Sequence, residues 1–255
     1  MRTSLVRLGS ILLLLRPFVL TQANAFSPED HRVERPSFYQ VNSELPGKGK
    51  HFCVPTAISN HLIALAQKFP GLMSQENPTP KDQVELIKIL SSCDYMNTID
   101  GEGTTLSGLV KGLEKYVLER GYDISIRYKG LEENAEDVKQ YFAGEEINPE
   151  WIKEELKYES NLVLAVNFYK NINGYLKFIE AHDVTVTGFN DNDGFKLHIH
   201  DPAEKSETKP ETRTCDPVWH SKSDIELGGM KLYPGSDVAF VRYVVAFKIE
   251  KPENN

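Results

Sequence analysis

The sequence is poor in cysteine, short of positive charge and, beyond its first 25 residues, without a long apolar run. Each shortage excludes something. A helix that spans a bilayer needs ~18 or more consecutive apolar residues; no segment after Ala25 approaches that, so no membrane insertion is expected of the mature chain. Acidic residues outnumber basic ones 37 to 29, for a formal charge of −8. That balance repels phosphate backbones and argues against nucleic acid as a partner. No internal repeat or low-complexity linker divides the chain, and one domain is expected. Nor is there a close metal-ligand spacing such as C-x2-C or H-E-x-x-H. His198 and His200 lie two apart, with Asp201, Cys215 and His220 not far along the chain. Alternate polar residues are the ordinary outward face of a half-exposed strand, so neither a metal nor any other cofactor is expected.

The one apolar run is N-terminal. Arg2 and Arg7 precede Leu8 to Leu15, and Ala23-Asn24-Ala25 has the small-x-small pattern that signal peptidase cuts. Residues 1–25 therefore read as an export leader, although Arg16 and Pro17 interrupt its core. Residues 26–255 are left as a secreted or periplasmic domain. Losing three arginines with the leader moves the formal charge from −8 to −11. Three cysteines in an oxidising compartment leave at least one unpaired or bonded to another chain. If Cys53 is the reactive one, a Cys93–Cys215 disulfide is the intramolecular pairing left; two inert thiols are the alternative.

Apolar spacing predicts helices first and strands later. From Cys53 to about Gln67, Ile58, Leu62, Leu65 and Ala66 recur at three and four, and Pro55 sits in the first turn, where a missing N–H costs nothing. Asp82 to Cys93 and Thr105 to Arg120 repeat the pattern, the latter with a threonine cap and Gly121 as its stop. A weaker helix covers Pro149 to Tyr158, after an acidic stretch, Glu132 to Glu150, that reads as solvated loop. Beyond Asn161 come β-rich segments, and the polar stretch Glu204 to Thr214 reads as surface loop. The order implies an α+β domain with a mainly antiparallel sheet.

"HDVTVTGF", "NDND" and "GFKLHIHD" form a hairpin with Asn190 to Asp193 as its turn. Opposed residues are then Gly188 and Phe195, Val186 and Leu197, Val184 and Ile199, with no polar residue among the inward positions. The same register sets His182 opposite Asp201, close enough for a carboxylate to orient an imidazole.

Cys53 stands where a helix begins, and a thiolate there is stabilised by the dipole and the unpaired amides of the first turn. With His182 as base and Asp201 as orienter, it fills the nucleophile role of an acyl-transferring cysteine site. The oxyanion would be held by the Cys53 backbone N–H and a side-chain amide from the preceding segment. The unexceptional alternative is a structural cysteine and an edge histidine.

The stretches "YQVNS…HFCVPTA", "GTTLSGLVKGLEKYVLERGY", "AHDVTVTGF" and "HIHDPAE" resemble, in that order, the C39-like branch of the papain-like cysteine peptidases, related to the double-glycine peptidases. Their pattern is Gln, Cys-Gly-Pro-[Thr/Ala], Gly-His, Asp-Pro. The resemblance implies a papain-like fold with Cys53 as nucleophile, His182 as base, Asp201 as orienting acid and Gln40 as oxyanion-hole donor, acting on a peptide or amide substrate. Val54 and Ala181 stand where the family has glycine, and Gln40 precedes Cys53 by 13 residues, across an inserted "ELPGKGK". Phytochelatin synthase has a similar arrangement, so a γ-glutamyl or acyl transferase is the alternative enzyme. A non-catalytic papain-fold binding module is the alternative outside enzymes.

Overall fold

The computed structural model describes residues 29–75, 77–131, 136–203, 212–221 and 224–252. The expected leader, 1–25, lies outside the described residues. So does most of the expected loop 204–214, of which the described end, at Arg213, already begins a strand.

The four expected helices are α1 (Cys53–Leu65), α2 (Pro80–Ser91), α3 (Leu106–Leu118) and α4 (Pro149–Lys157). α2 starts two residues earlier than the spacing implied because Thr79 and Asp82 form a capping box ahead of Pro80. Thr105 caps α3, its hydroxyl accepting from the Gly108 N–H at 3.0 Å, and the Asn148 side chain caps α4 by accepting from the Trp151 N–H at 2.9 Å. α1 differs in two ways. No side chain caps its first turn, and every residue from Cys53 to Leu62 is buried, not one face alone.

Among the described residues nine strands form a sheet that is antiparallel except for one short pairing, so the domain is α+β. They are β1 (Asp30–Arg32), β2 (Asp123–Gly130), β3 (Phe142–Gly144), β4 (Asn161–Ile172), β5 (Tyr175–Asn190), β6 (Lys196–His200), β7 (Arg213–Ser221), β8 (Asp224–Gly228) and β9 (Val238–Glu250). Because β4 pairs with both β5 and β9, the run from β4 through β9 closes on itself as a ring of strands. One core fills the ring. Leu164, Val166, Val184, Val186, Leu197, Ile199 and Val244 belong to it, and α4 adds Trp151 and Leu156. A second core lies between α1–α3 and the outer face of β4 and β9, with Val163, Ala165, Val245 and Phe247. Alternation along β4 and β9 thus feeds both cores.

Several expectations fail here. β2 lies well before Asn161, where strands were expected to begin. Its partner β9 is the last strand, so pairing over that distance has no local signature. The acidic stretch 132–150 carries β3 and a turn of 3-10 helix, Glu136–Tyr141, whose Val138 is buried in the helical core. No disulfide joins Cys93 and Cys215: the first is exposed just after α2, the second buried in β7. His198 and His200 are also buried, because β1 and the segment after it cover that side of β6. His198 meets Asp30 Oδ1 and Thr214 Oγ1, each at 3.2 Å, and His200 meets the Pro36 carbonyl at 3.2 Å.

The hairpin forms, but in another register. Near the turn Asn190 pairs with Lys196 and Gly188 with His198, three positions from the expected Phe195. A bulge between Val186 and Gly188 then sets Val186 against Ile199, two positions from the expected Leu197. Side chains alternate with a period of two, so an even offset returns the expected residues to one face. The bulge coincides with a long-range contact. β1 pairs with β5 at Gly188, where an added Cβ would lie 2.0 Å from the His31 carbonyl oxygen.

Candidate active site

α1 presents Cys53 as its first residue and is fixed to β5 by buried polar groups. Asn60 donates to Thr185 Oγ1 at 3.1 Å, and the Thr185 hydroxyl donates to the Ala57 carbonyl at 3.3 Å. Gln83 of α2 holds the other end of Asn60, donating to its Oδ1 at 2.8 Å. These bonds satisfy groups that would be costly to bury alone, and they require α1 to cross β5 at one position. That crossing brings the helix terminus over His182.

The His182 imidazole binds Asp201 Oδ1 through Nε2 at 2.6 Å, a short charge-assisted contact between two buried side chains. In the observed register Asp201, just past β6, is diagonal to His182 and not directly opposite it; the two share a face and their side chains bridge the offset. Asp201 Oδ1 also accepts from the Ala203 N–H at 2.8 Å, and Phe168 stacks on the imidazole with ring centroids 6.4 Å apart. The ring is thus held on its edge and its face.

Burial opposes charge on His182, but the hydrogen bond to Asp201 and the interaction with the Cys53 thiol outweigh it and hold the imidazole well above its usual pKa. For Asp201 burial pushes upward, yet the His182 hydrogen bond and charge bring its carboxyl below the ordinary value. Both shifts favour an imidazolium facing a carboxylate. Nε2 is committed to Asp201, which leaves Nδ1 as the ring nitrogen available to the thiol.

Gln40 is buried at the same cavity. The insertion does not carry it away, because the chain turns back on itself. The Gln40 N–H donates to the Pro202 carbonyl at 2.8 Å, one residue past Asp201, and Gln40 Nε2 donates to the Lys50 carbonyl at 2.8 Å. Gly49, with φ of +73°, makes this possible: a Cβ there would lie 1.9 Å from the Gln40 carbonyl oxygen. One Nε2 hydrogen is used by Lys50, and a primary amide has a second to donate. The four residues Cys53, His182, Asp201 and Gln40 line one cavity of about 350 Å³, together with Phe168, Tyr233 and the acidic Glu102 and Glu180.

One residue at this site was not foreseen. Asp183 Oδ2 lies 3.9 Å from the Cys53 sulfur, and its Oδ1 receives the Tyr243 hydroxyl at 3.5 Å. Burial, partly offset by the His182 and Arg242 charges, pushes its carboxyl up to about 6. Its adjacency to His182 is the one signal the sequence offers, and strand alternation, which sends adjacent side chains to opposite faces, masks it. The helix end sits at the rim of the ring, where it meets both.

No protein-family model matches the chain, and a search of curated proteins also finds no match.

Proposed function

We propose that the chain is an exported cysteine peptidase or amide hydrolase of the C39-like, papain-like kind, cleaving a peptide or amide bond through an acyl-thioester on Cys53. The observation that carries this reading is the 2.6 Å contact between His182 Nε2 and Asp201, at a cavity that also holds the first residue of α1.

The steps follow from the groups present. His182 Nδ1 takes the Cys53 proton, and the resulting ion pair is supported by Asp201 behind the ring and by the uncapped first turn of α1. The thiolate adds to the substrate carbonyl carbon. The new oxyanion accepts from the Cys53 N–H and from the second Nε2 hydrogen of Gln40. Lys50 holds the Gln40 amide in the orientation that offers nitrogen, since a flipped amide would set its oxygen against the Lys50 carbonyl. The imidazolium protonates the leaving amine. Water, deprotonated by the same ring, then attacks the thioester and releases the acid.

The test is alkylation by iodoacetamide near neutral pH, native against His182→Ala. The native protein should label at Cys53 at least tenfold faster. Equal, slow labelling in both would sink the activated-thiolate scheme. A peptide-library digestion then reads cleavage, with Cys53→Ala as the inactive control. The same digestion with added amine or glutathione separates hydrolysis from acyl transfer.

A further inference from the structure

A second cavity, larger than the one at Cys53, lies elsewhere on the molecule. It measures about 730 Å³ and lies by the last turn of α1, between the segment that follows β1 and the residues leading into α2. Its apolar wall is Val33, Pro36, Ile63, Ala64 and Pro78. Its polar wall includes Arg35, with Arg32, Glu34, Thr187 and His200.

Arg35 is half-buried and its neighbours are neutral. Its Nε donates to His61 Nδ1 at 3.2 Å, one terminal nitrogen donates to the Glu34 backbone carbonyl at 2.9 Å, and the other to Asn161 Oδ1 at 2.9 Å. His61 cannot act as a counter-charge. It donates its own Nε2 proton to the Leu162 carbonyl at 2.9 Å, and burial, with the Arg35 charge, pushes its pKa down to about 3. Among the described residues no carboxylate pairs with Arg35. Glu34, the acidic residue among the described ones on the cavity wall, makes no ion pair with it, while Arg32 on the same wall is occupied by Asp30. Burial without a partner charge draws even this guanidinium down to about 10. Thr187, at the bulge of β5, lines the same cavity, and its buried hydroxyl has no partner among the described residues.

A guanidinium has five N–H donors in a planar fork, and three of those of Arg35 are spoken for. The remaining pair is one hydrogen on each terminal nitrogen. A half-buried cation that has no counter-ion among the described residues is unfavourably placed, and an oxyanion relieves that cost while matching the fork. We infer that this cavity binds a small organic anion, an oxyanion of carboxylate or phosphate type on an apolar body, with Arg35 as its anchor and the Ile63–Ala64 wall as its apolar contact. The inference is independent of the chemistry proposed for Cys53, because α1 separates the two cavities.

The test is calorimetric titration of the full chain with hexanoate, hexyl phosphate and hexylammonium. Both anions should bind and the cation should not, and the tighter anion identifies the headgroup. Arg35→Gln should weaken anion binding at least tenfold. Ala64→Trp, which places a bulky ring on the apolar wall and leaves the Arg35 side chain itself unchanged, should do the same and covers the case in which the Arg35 variant does not fold. Prior alkylation of Cys53 should leave binding unchanged. Absence of binding at millimolar anion, equal affinity in Ala64→Trp, hexylammonium binding as well as hexanoate, or loss of binding on alkylation would each overturn the assignment.

Discussion

Asp183 carries its carboxyl into a space where charge is costly. The folded chain keeps a proton there up to about pH 6, whereas the ordinary value is 3.8. A group whose folded value is raised contributes stability that is full below the unfolded value and lost as pH rises through the folded one. The gap of about two units corresponds to roughly 3 kcal/mol. Asp183→Asn keeps the shape and cannot ionise. Between about pH 3.5 and about pH 8 its stability relative to the native chain should therefore rise by roughly 3 kcal/mol, as urea unfolding at the two pH values measures. A difference independent of pH would show that the carboxyl ionises as freely in the fold as outside it. At this scale His182 and Asp201 were legible, because a hairpin sets neighbours in sequence side by side. Asp183 was not, since its proximity to Cys53 depends on a helix 130 residues earlier in the chain.

At the scale of elements, the close return of the inserted segment onto Gln40 depends on a glycine. Gly49 takes a φ of +73° that other residues rarely adopt, against the Gln40 carbonyl. If Gln40 donates to the oxyanion as proposed, Gly49→Ala should move it and lower kcat for a cleaved peptide about tenfold or more, with KM little changed, since such a donor acts on the transition state. Cys53 alkylation should keep its native rate, because no oxyanion forms in that reaction. A parallel loss of alkylation would mean that Gly49 acts through folding of α1. Helix positions were readable from apolar spacing and capping residues, which operate within one or two turns. The bulge at Gly188 was not, because β1, which crosses there, is 156 residues away in sequence. The expected placement of His182 and Asp201 on one face survived only because the observed offset is even.

Across the whole molecule, two cores share β4 and β9, which turn alternate residues into each. Neither core can lose those strands without the other, so unfolding should be a single transition. Trp151 packs in the ring core and Cys53 in the helical core. Tryptophan fluorescence and Cys53 accessibility to a thiol reagent should report the same urea midpoint; separated midpoints would show that the halves unfold independently. By itself the sequence determined the helices, the hairpin and the order Cys53, His182, Asp201, since these follow from side-chain periodicity and turn chemistry over short stretches. Only the tertiary structure decided the closure of the strand ring, the burial of His198 and His200, the presence of Asp183 beside the thiol and the return of Gln40 across its insertion. Each of these depends on contacts between distant segments, and such contacts are set by what must pack together, which no local pattern records.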